Sequence, residues 1–122
     1  MTLITERYTA TIEEMKSKFI AIAFPISSVD EFKAKLKVIE KEHHKARHIC
    51  YAYRIGTTTK SNDNGEPKGT AGRPLLELLL KKDLNNIALI VVRYFGGTKL
   101  GASRLLRTYL NSGIEVLKKA GL

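Results

Sequence analysis

Ile87-Ala88-Leu89-Ile90-Val91-Val92-Arg93-Tyr94-Phe95-Gly96-Gly97-Thr98-Lys99-Leu100-Gly101 runs from an unbroken apolar stretch into a basic, glycine-rich turn. Ile87 to Val92 has the uninterrupted, β-favouring composition of a strand buried in a sheet. Beyond the turn, Leu105, Leu106, Tyr109, Leu110, Gly113 and Leu117 recur at helical spacing. The stretch therefore predicts strand, tight turn, helix. Adjacent glycines at Gly96 and Gly97 permit positive φ and a close approach to the backbone. The helix beyond begins with free N–H groups at the positive end of its dipole. Arg93, Lys99, Arg104 and Arg107 flank the turn. Chemically this is a place suited to an anion; the plainer alternative is a turn whose glycines serve packing alone.

Better-known phosphate loops do not fit. Gly96 and Gly101 have the spacing of a nucleoside-triphosphate P-loop, but Ala102-Ser103 follows where Lys-Ser/Thr is required. The pattern GxGxxG is also absent.

The 122 residues suit one domain, 1–122, with enough chain for one core. The charge balance is lopsided: 21 Lys and Arg against 12 Asp and Glu, a formal net charge of +9. That excess favours approach to phosphates of RNA, DNA or a membrane surface, or else is a solubility surplus spread evenly. The one cysteine, Cys50, permits no internal disulfide and fits a reducing compartment. Met1 to Arg7 lacks the apolar core of a signal peptide, and no apolar run reaches membrane-spanning length. The expectation is a cytoplasmic domain that makes no membrane contact.

Taken in order, Tyr8 to Ile12 and Lys18 to Phe24 read as strands around the polar Glu13 to Ser17. Pro25 closes the second, since proline cannot donate to a ladder. Ser28-Val29-Asp30-Glu31 has capping-box spacing and opens a helix from about Val29 to His44, with Val29, Phe32, Leu36 and Ile39 as its stripe. His43, His44, His48 and Cys50 invite a metal reading. A helix must end before the strand Ile49 to Ile55, however, so the spacing of His44 and His48 is lost, and a cysteine there reads as a small buried hydrophobe. No metal and no cofactor are expected.

Gly56 to Gly72 is the longest polar stretch, and its acids are Asp63 and Glu66. Two carboxylates are few for calcium, and EF-hand spacing is absent. Paired carboxylates for acid–base chemistry and a turn stabilised by Asp and Gly both remain open. Pro74 suits the first turn of a helix in which Leu75, Leu76, Leu78, Leu79 and Leu80 predict deep packing, and Asn85-Asn86 marks the turn into the central strand. The coarse order is β-β-α-β-α-β-α.

Four ordered blocks resemble the Impact family, whose bacterial members are the YigZ-like proteins: Lys16-Ser17-Lys18-Phe19-Ile20-Ala21, Ala46-Arg47-His48-Ile49-Cys50-Tyr51-Ala52-Tyr53, Asn64-Gly65-Glu66-Pro67-Lys68-Gly69-Thr70-Ala71-Gly72 and Val92 to Gly101. The resemblance implies an α+β, two-layer sandwich of the ribosomal protein S5 domain 2-like kind. Bacterial relatives read Ser-Asp-Asp-Gly-Glu-Pro where this chain has Asn62-Asp63-Asn64-Gly65-Glu66-Pro67, so a carboxylate is lost here. They also often carry Gly-Gly where this chain has Ser103-Arg104. Longer bacterial members have a ferredoxin-like C-terminal domain and eukaryotic ones an N-terminal RWD domain; neither pattern occurs in these residues.

Eukaryotic relatives regulate the kinase controlling translation initiation, so the resemblance implies a non-enzymatic binding protein of translation. Its partners would be RNA, ribosomal or translation-factor components, or another protein. The alternative is an enzyme acting on a phosphorylated or anionic small molecule, though a complete phosphate loop and metal ligands are missing. A peptidase has no support, because no Ser/His/Asp order is compelling. The expected site joins the loop Gly65 to Arg73 with the turn Gly96 to Gly101 on one surface. It would comprise the anion-binding Arg73, Arg93, Lys99, Arg104, Arg107, Gly96 and Gly97, with the loop residues Asp63, Gly65, Glu66, Thr70 and Gly72.

Overall fold

Strand β5 (Ile87–Tyr94) runs through the middle of the sheet, buried at every position from Ile87 to Arg93. The computed structural model describes residues 4–122; Met1 to Leu3, the start of the segment read for a leader, lie outside the described residues. On one side β5 pairs with β2 (Ser17–Pro25), on the other with β3 (His48–Ile55). Strands β1 (Tyr8–Glu14) and β4 (Thr58–Asn62) complete the sheet in the order β1-β2-β5-β3-β4, antiparallel at every junction.

The sheet is covered on both faces. Helix α1 (Val29–Glu42) lays Phe32 and Ile39 on Ile22, Phe24, Ile90 and Val92. Helices α2 (Gly72–Lys81) and α3 (Ala102–Lys119) bring Leu75, Leu79, Tyr109 and Leu117 against Phe19, Ala21, Leu89 and Val91 of the opposite face. Alternate residues of β5 thus feed separate cores, which is why its apolar run does not alternate. The α+β class is as expected: α2, α3 and the sheet form the sandwich, and α1 closes the sheet's other side.

Several local readings change. Part of the segment read as one long loop is the edge strand β4, exposed at each of its 5 residues. A strand with no buried face leaves no apolar alternation to read; its backbone pairing to β3, from Tyr51↔Asn62 to Ile55↔Thr58, holds it. The β1–β2 hairpin is tighter than expected, turning at Met15 and Lys16 with φ of 49° and 65°. Ser28 Oγ accepts the Glu31 N–H at 3.0 Å, but Glu31 reaches back to the Ser27 N–H and hydroxyl, not to Ser28. Those Ser27 bonds hold the Glu31 carboxyl below its ordinary range. Helix α1 ends at Glu42, short of His44. Leu80 is exposed, so α2 is amphipathic and not packed all round.

Candidate functional site

Asp63 and Glu66 share a loop and do different work. The Asp63 carboxylate accepts from the N–H groups of Gly69, Ala71 and Gly72 at 2.9–3.1 Å. It thereby caps α2, whose N-cap residue Ala71 makes no side-chain bond of its own. Asn64 donates its amide to Ile49 O at 2.9 Å, a bond that an ionised carboxylate could not make. Glu66 turns inward instead. Its carboxylate accepts from Arg93 Nη1 at 2.7 and 3.0 Å and from the Tyr109 hydroxyl at 2.5 Å, with His48 Nε2 at 3.4 Å. Paired-carboxylate chemistry therefore does not arise: one acid is spent on backbone, the other on a buried ion pair.

Arg93 is correspondingly no free cation. It is buried beneath Phe19 and Phe95, bonded to Glu66 and, through Nη2, to Ser17 Oγ at 3.4 Å. Ser17 Oγ also accepts the Gly96 N–H at 3.2 Å, tying the glycine turn to the β1–β2 hairpin. Gly96 lies so close to that hairpin that a Cβ would overlap the Lys16 carbonyl. Packing thus accounts for Gly96. Gly97 and Gly101 instead adopt φ of 96° and 82°, with open space around them.

Between the two loops lies a cleft of about 320 Å³. Glu66 and Pro67 line it from one side and Phe95, Lys99, Leu100 and Gly101 from the other, with Arg47, His48 and Arg93 also facing it. The α3 N-terminus opens here: Gly101 supplies no capping side chain, and the first turn has no acid. Phe95 is 37% exposed and carries the Arg47 guanidinium 4.5 Å from its ring centroid, so it is no core residue. Tyr94 is half-buried, its hydroxyl 2.6 Å from His43 Nδ1.

Of the residues expected in the site, Glu66, Arg93 and Lys99 line the cleft, and Gly96 and Gly97 do not. Nor does Arg73; it pairs with Glu77 at 2.9 Å in a separate groove between α2 and α3. Arg104 and Arg107 are exposed on α3 outside the cleft, Arg104 with Glu14 at 3.9 Å. Thr70 is buried and bonds Pro67 O through its hydroxyl. Gly65 backs onto the His48 ring, and Gly72 presses against the Asn62 backbone, where a Cβ would have no room. Arg47, His48, Phe95 and Ser17 are not among the expected site residues, although all four stand in blocks quoted above. Register brings them in: His48 lies opposite Arg93 across the β3–β5 ladder.

Among the described residues, no group of three or more His, Cys, Asp and Glu is placed to hold a metal ion. His48 Nδ1 donates to Asn64 O at 2.8 Å, and Cys50 is buried, its thiol within 3.1 Å of Asp63 O and 3.4 Å of the Tyr109 hydroxyl. Burial pushes the Cys50 thiol from 9.0 up to about 12, and raises the Tyr109 hydroxyl too. An unfolded chain loses the thiol proton above about 9 while the folded one keeps it. Stability should therefore fall as pH climbs from 9.0 towards about 12. Iodoacetamide should label Cys50 rapidly in urea and very slowly in the native protein; equal rates would contradict this environment.

No helix among the described residues is long and apolar enough to cross a membrane. The family model for the Impact N-terminal domain matches residues 15–117. The chain is 44% identical over 110 residues to the IMPACT family member YvyE of Bacillus subtilis, covering 88% of this chain and 51% of that protein. It is 37% identical over 113 residues to YigZ of Escherichia coli, covering 88% and 55%. A solved structure titled as that of a hypothetical protein superposes with TM-score 0.93 at 33% identity, over 96% of this chain and 59% of the other. Another, titled as the two-domain translational regulator Yih1, gives TM-score 0.55 at 25% identity over 96% and 46%. The chain spans about half the length of the curated relatives it matches. With a family match across most of its length and this fold, the chain belongs to the Impact N-terminal domain family.

Proposed function

We propose that this domain is a non-catalytic binding module of translational regulation, acting in the cytoplasm on RNA or ribosomal components through their phosphates. The observation that carries this reading is the uncapped α3 N-terminus beside exposed Lys99, Arg104 and Arg107 and next to Arg47 on the exposed Phe95. Free N–H groups, a positive dipole end and flexible cations suit phosphate oxygens. An exposed aromatic with an arginine on it offers a base a stacking surface without reading its identity. The net charge of +9 acts in the same direction, and the Yih1 neighbour connects the fold to a translational regulator. Against catalysis stand the groups themselves: Asp63 caps backbone, Glu66 is ion-paired, and the Cys50 thiol is held protonated.

Single-stranded RNA should bind with affinity that falls steeply with salt, with a log–log slope of about −0.7 per phosphate neutralised. Alanine at Lys99, Arg104 and Arg107 should weaken binding of every sequence alike and flatten that slope. Salt-independent or base-specific binding would refute the phosphate reading. A pull-down whose protein partners are unchanged by nuclease would favour a protein adaptor.

A further inference from the structure

Helices α2 and α3 meet at Gly113, where a Cβ would lie 2.9 Å from side-chain carbons of Leu75 and Leu78. Beside that seam is a groove of about 490 Å³, larger than the cleft at the glycine turn. Pro74 and Leu78 line it from α2, and Leu106, Leu110 and Ile114 from α3. The last three stand at i, i+4 and i+8, in one row along a helix face. Leu106 is 37% exposed, and Leu110 and Ile114 are half-buried. Single exposed leucines are ordinary, but a continuous apolar row inside a groove marks a surface that another molecule covers.

The groove's edges carry unmatched cations. Arg73 is neutralised by Glu77 at 2.9 Å, and Lys118, which continues the α3 row, pairs with Glu115 at 3.8 Å. Lys81 on the α2 edge and Arg107, next to Leu106, have no ion-pair partner among the described residues. A second copy would present the same cations to themselves across a two-fold contact. RNA phosphates would gain nothing from the apolar floor, and a flat bilayer cannot enter a concave surface. An extended peptide would lay unpaired backbone N–H and C=O groups on that floor, whereas a helix satisfies its own. The eight residues from Leu106 to Ile114 span about 12 Å, roughly two helical turns.

We propose that this groove docks an amphipathic helix of a partner protein. Its apolar face covers Leu78, Leu106, Leu110 and Ile114, and acidic residues on its flanks meet Lys81 and Arg107. This is recognition of a helix by its i, i+3, i+4 and i+7 anchors. No residue lining the groove also lines the cleft, so this surface and the RNA reading above can fail separately.

The test selects on the whole chain from a phage library of helix-forming peptides about four turns long. Apolar residues are fixed at i, i+3, i+4 and i+7, and Glu, Gln or Lys varies on the flanks. Enriched peptides should carry Glu in preference to Lys. One of them, synthesised, should shift the amide resonances of Leu78, Leu106, Leu110 and Ile114 and leave those of His48 and Phe95 in place. Leu106→Asp, at an exposed position, should weaken that peptide about tenfold with an unchanged melting temperature. Lys81→Glu should weaken it about twofold to fivefold, the scale of an exposed ion pair. A peptide with Lys in place of its flanking Glu should recover that loss. No enrichment, enrichment of Lys-flanked peptides, or binding indifferent to Leu106→Asp would overturn the site. Displacement of RNA by the peptide would place it in the cleft and overturn the groove.

Discussion

Glu66→Ala should destabilise the domain by about 3–5 kcal/mol in urea denaturation, the scale for removing one partner of a buried ion pair. The side chains of Glu66 and Arg93 are 3% and 6% exposed, and the carboxylate is the guanidinium's charged partner at 2.7 Å. Without it, the arginine would stand charged and uncompensated under Phe19, and the Tyr109 hydroxyl would lose its acceptor. Since whole domains are stable by only about 5–15 kcal/mol, the variant should sit near unfolding at 37 °C. Glu66→Gln keeps the shape and an acceptor for Tyr109 but still strands the charge, so it should fall between. Pairing Glu66→Leu with Arg93→Met should recover much of the loss, because apolar replacement of a whole buried pair is often neutral. A loss below about 1 kcal/mol for Glu66→Ala would show that water reaches the pair and screens it.

Gly96→Ala should cost about 3 kcal/mol or more, at the upper end of overpacking effects. The new Cβ would meet the Lys16 carbonyl and lie 2.5 Å from the Ser17 nitrogen. All of these atoms are backbone at the tip of the β1–β2 hairpin, so no rotamer change relieves the overlap. The turn would have to move, taking with it the Gly96 N–H bond to Ser17 and the position of Lys99. The RNA affinity proposed above should drop alongside stability. Gly97→Ala provides the contrast: it has open space but φ of 96°, and should cost about 1 kcal/mol from backbone strain alone. Indistinguishable melting temperatures for the two variants would contradict the close packing of Gly96.

Both predictions concern residues in the motifs from which the family was recognised, and they show how a motif divides by role. Arg93 was legible as a cation beside a glycine turn; that its charge is consumed internally was not. The ion pair joins residues 27 apart in sequence, across a loop and a strand whose approach no local pattern encodes. Asp63 was legible as a turn former, and its three backbone acceptor bonds fit that plainer alternative. Arg73 was misplaced because a helix start presents side chains all round its axis, and here the pairing with Glu77 turns Arg73 towards the groove between α2 and α3.

By itself the sequence determined what depends on short-range chemistry. The apolar run Ile87–Val92 specified a strand with no face left for water, Ser28 specified the start of α1, and the quoted blocks specified the family. The edge strand β4 escaped because its pairing is made by backbone atoms, which every residue possesses, and not by side chains that mark a face. Only tertiary structure decided which charges are free. Burial and register place Arg93 against Glu66 and leave Lys99, Arg47 and the α3 N-terminus around a cleft, because solvation and distance in space, not spacing along the chain, set the value of a charge.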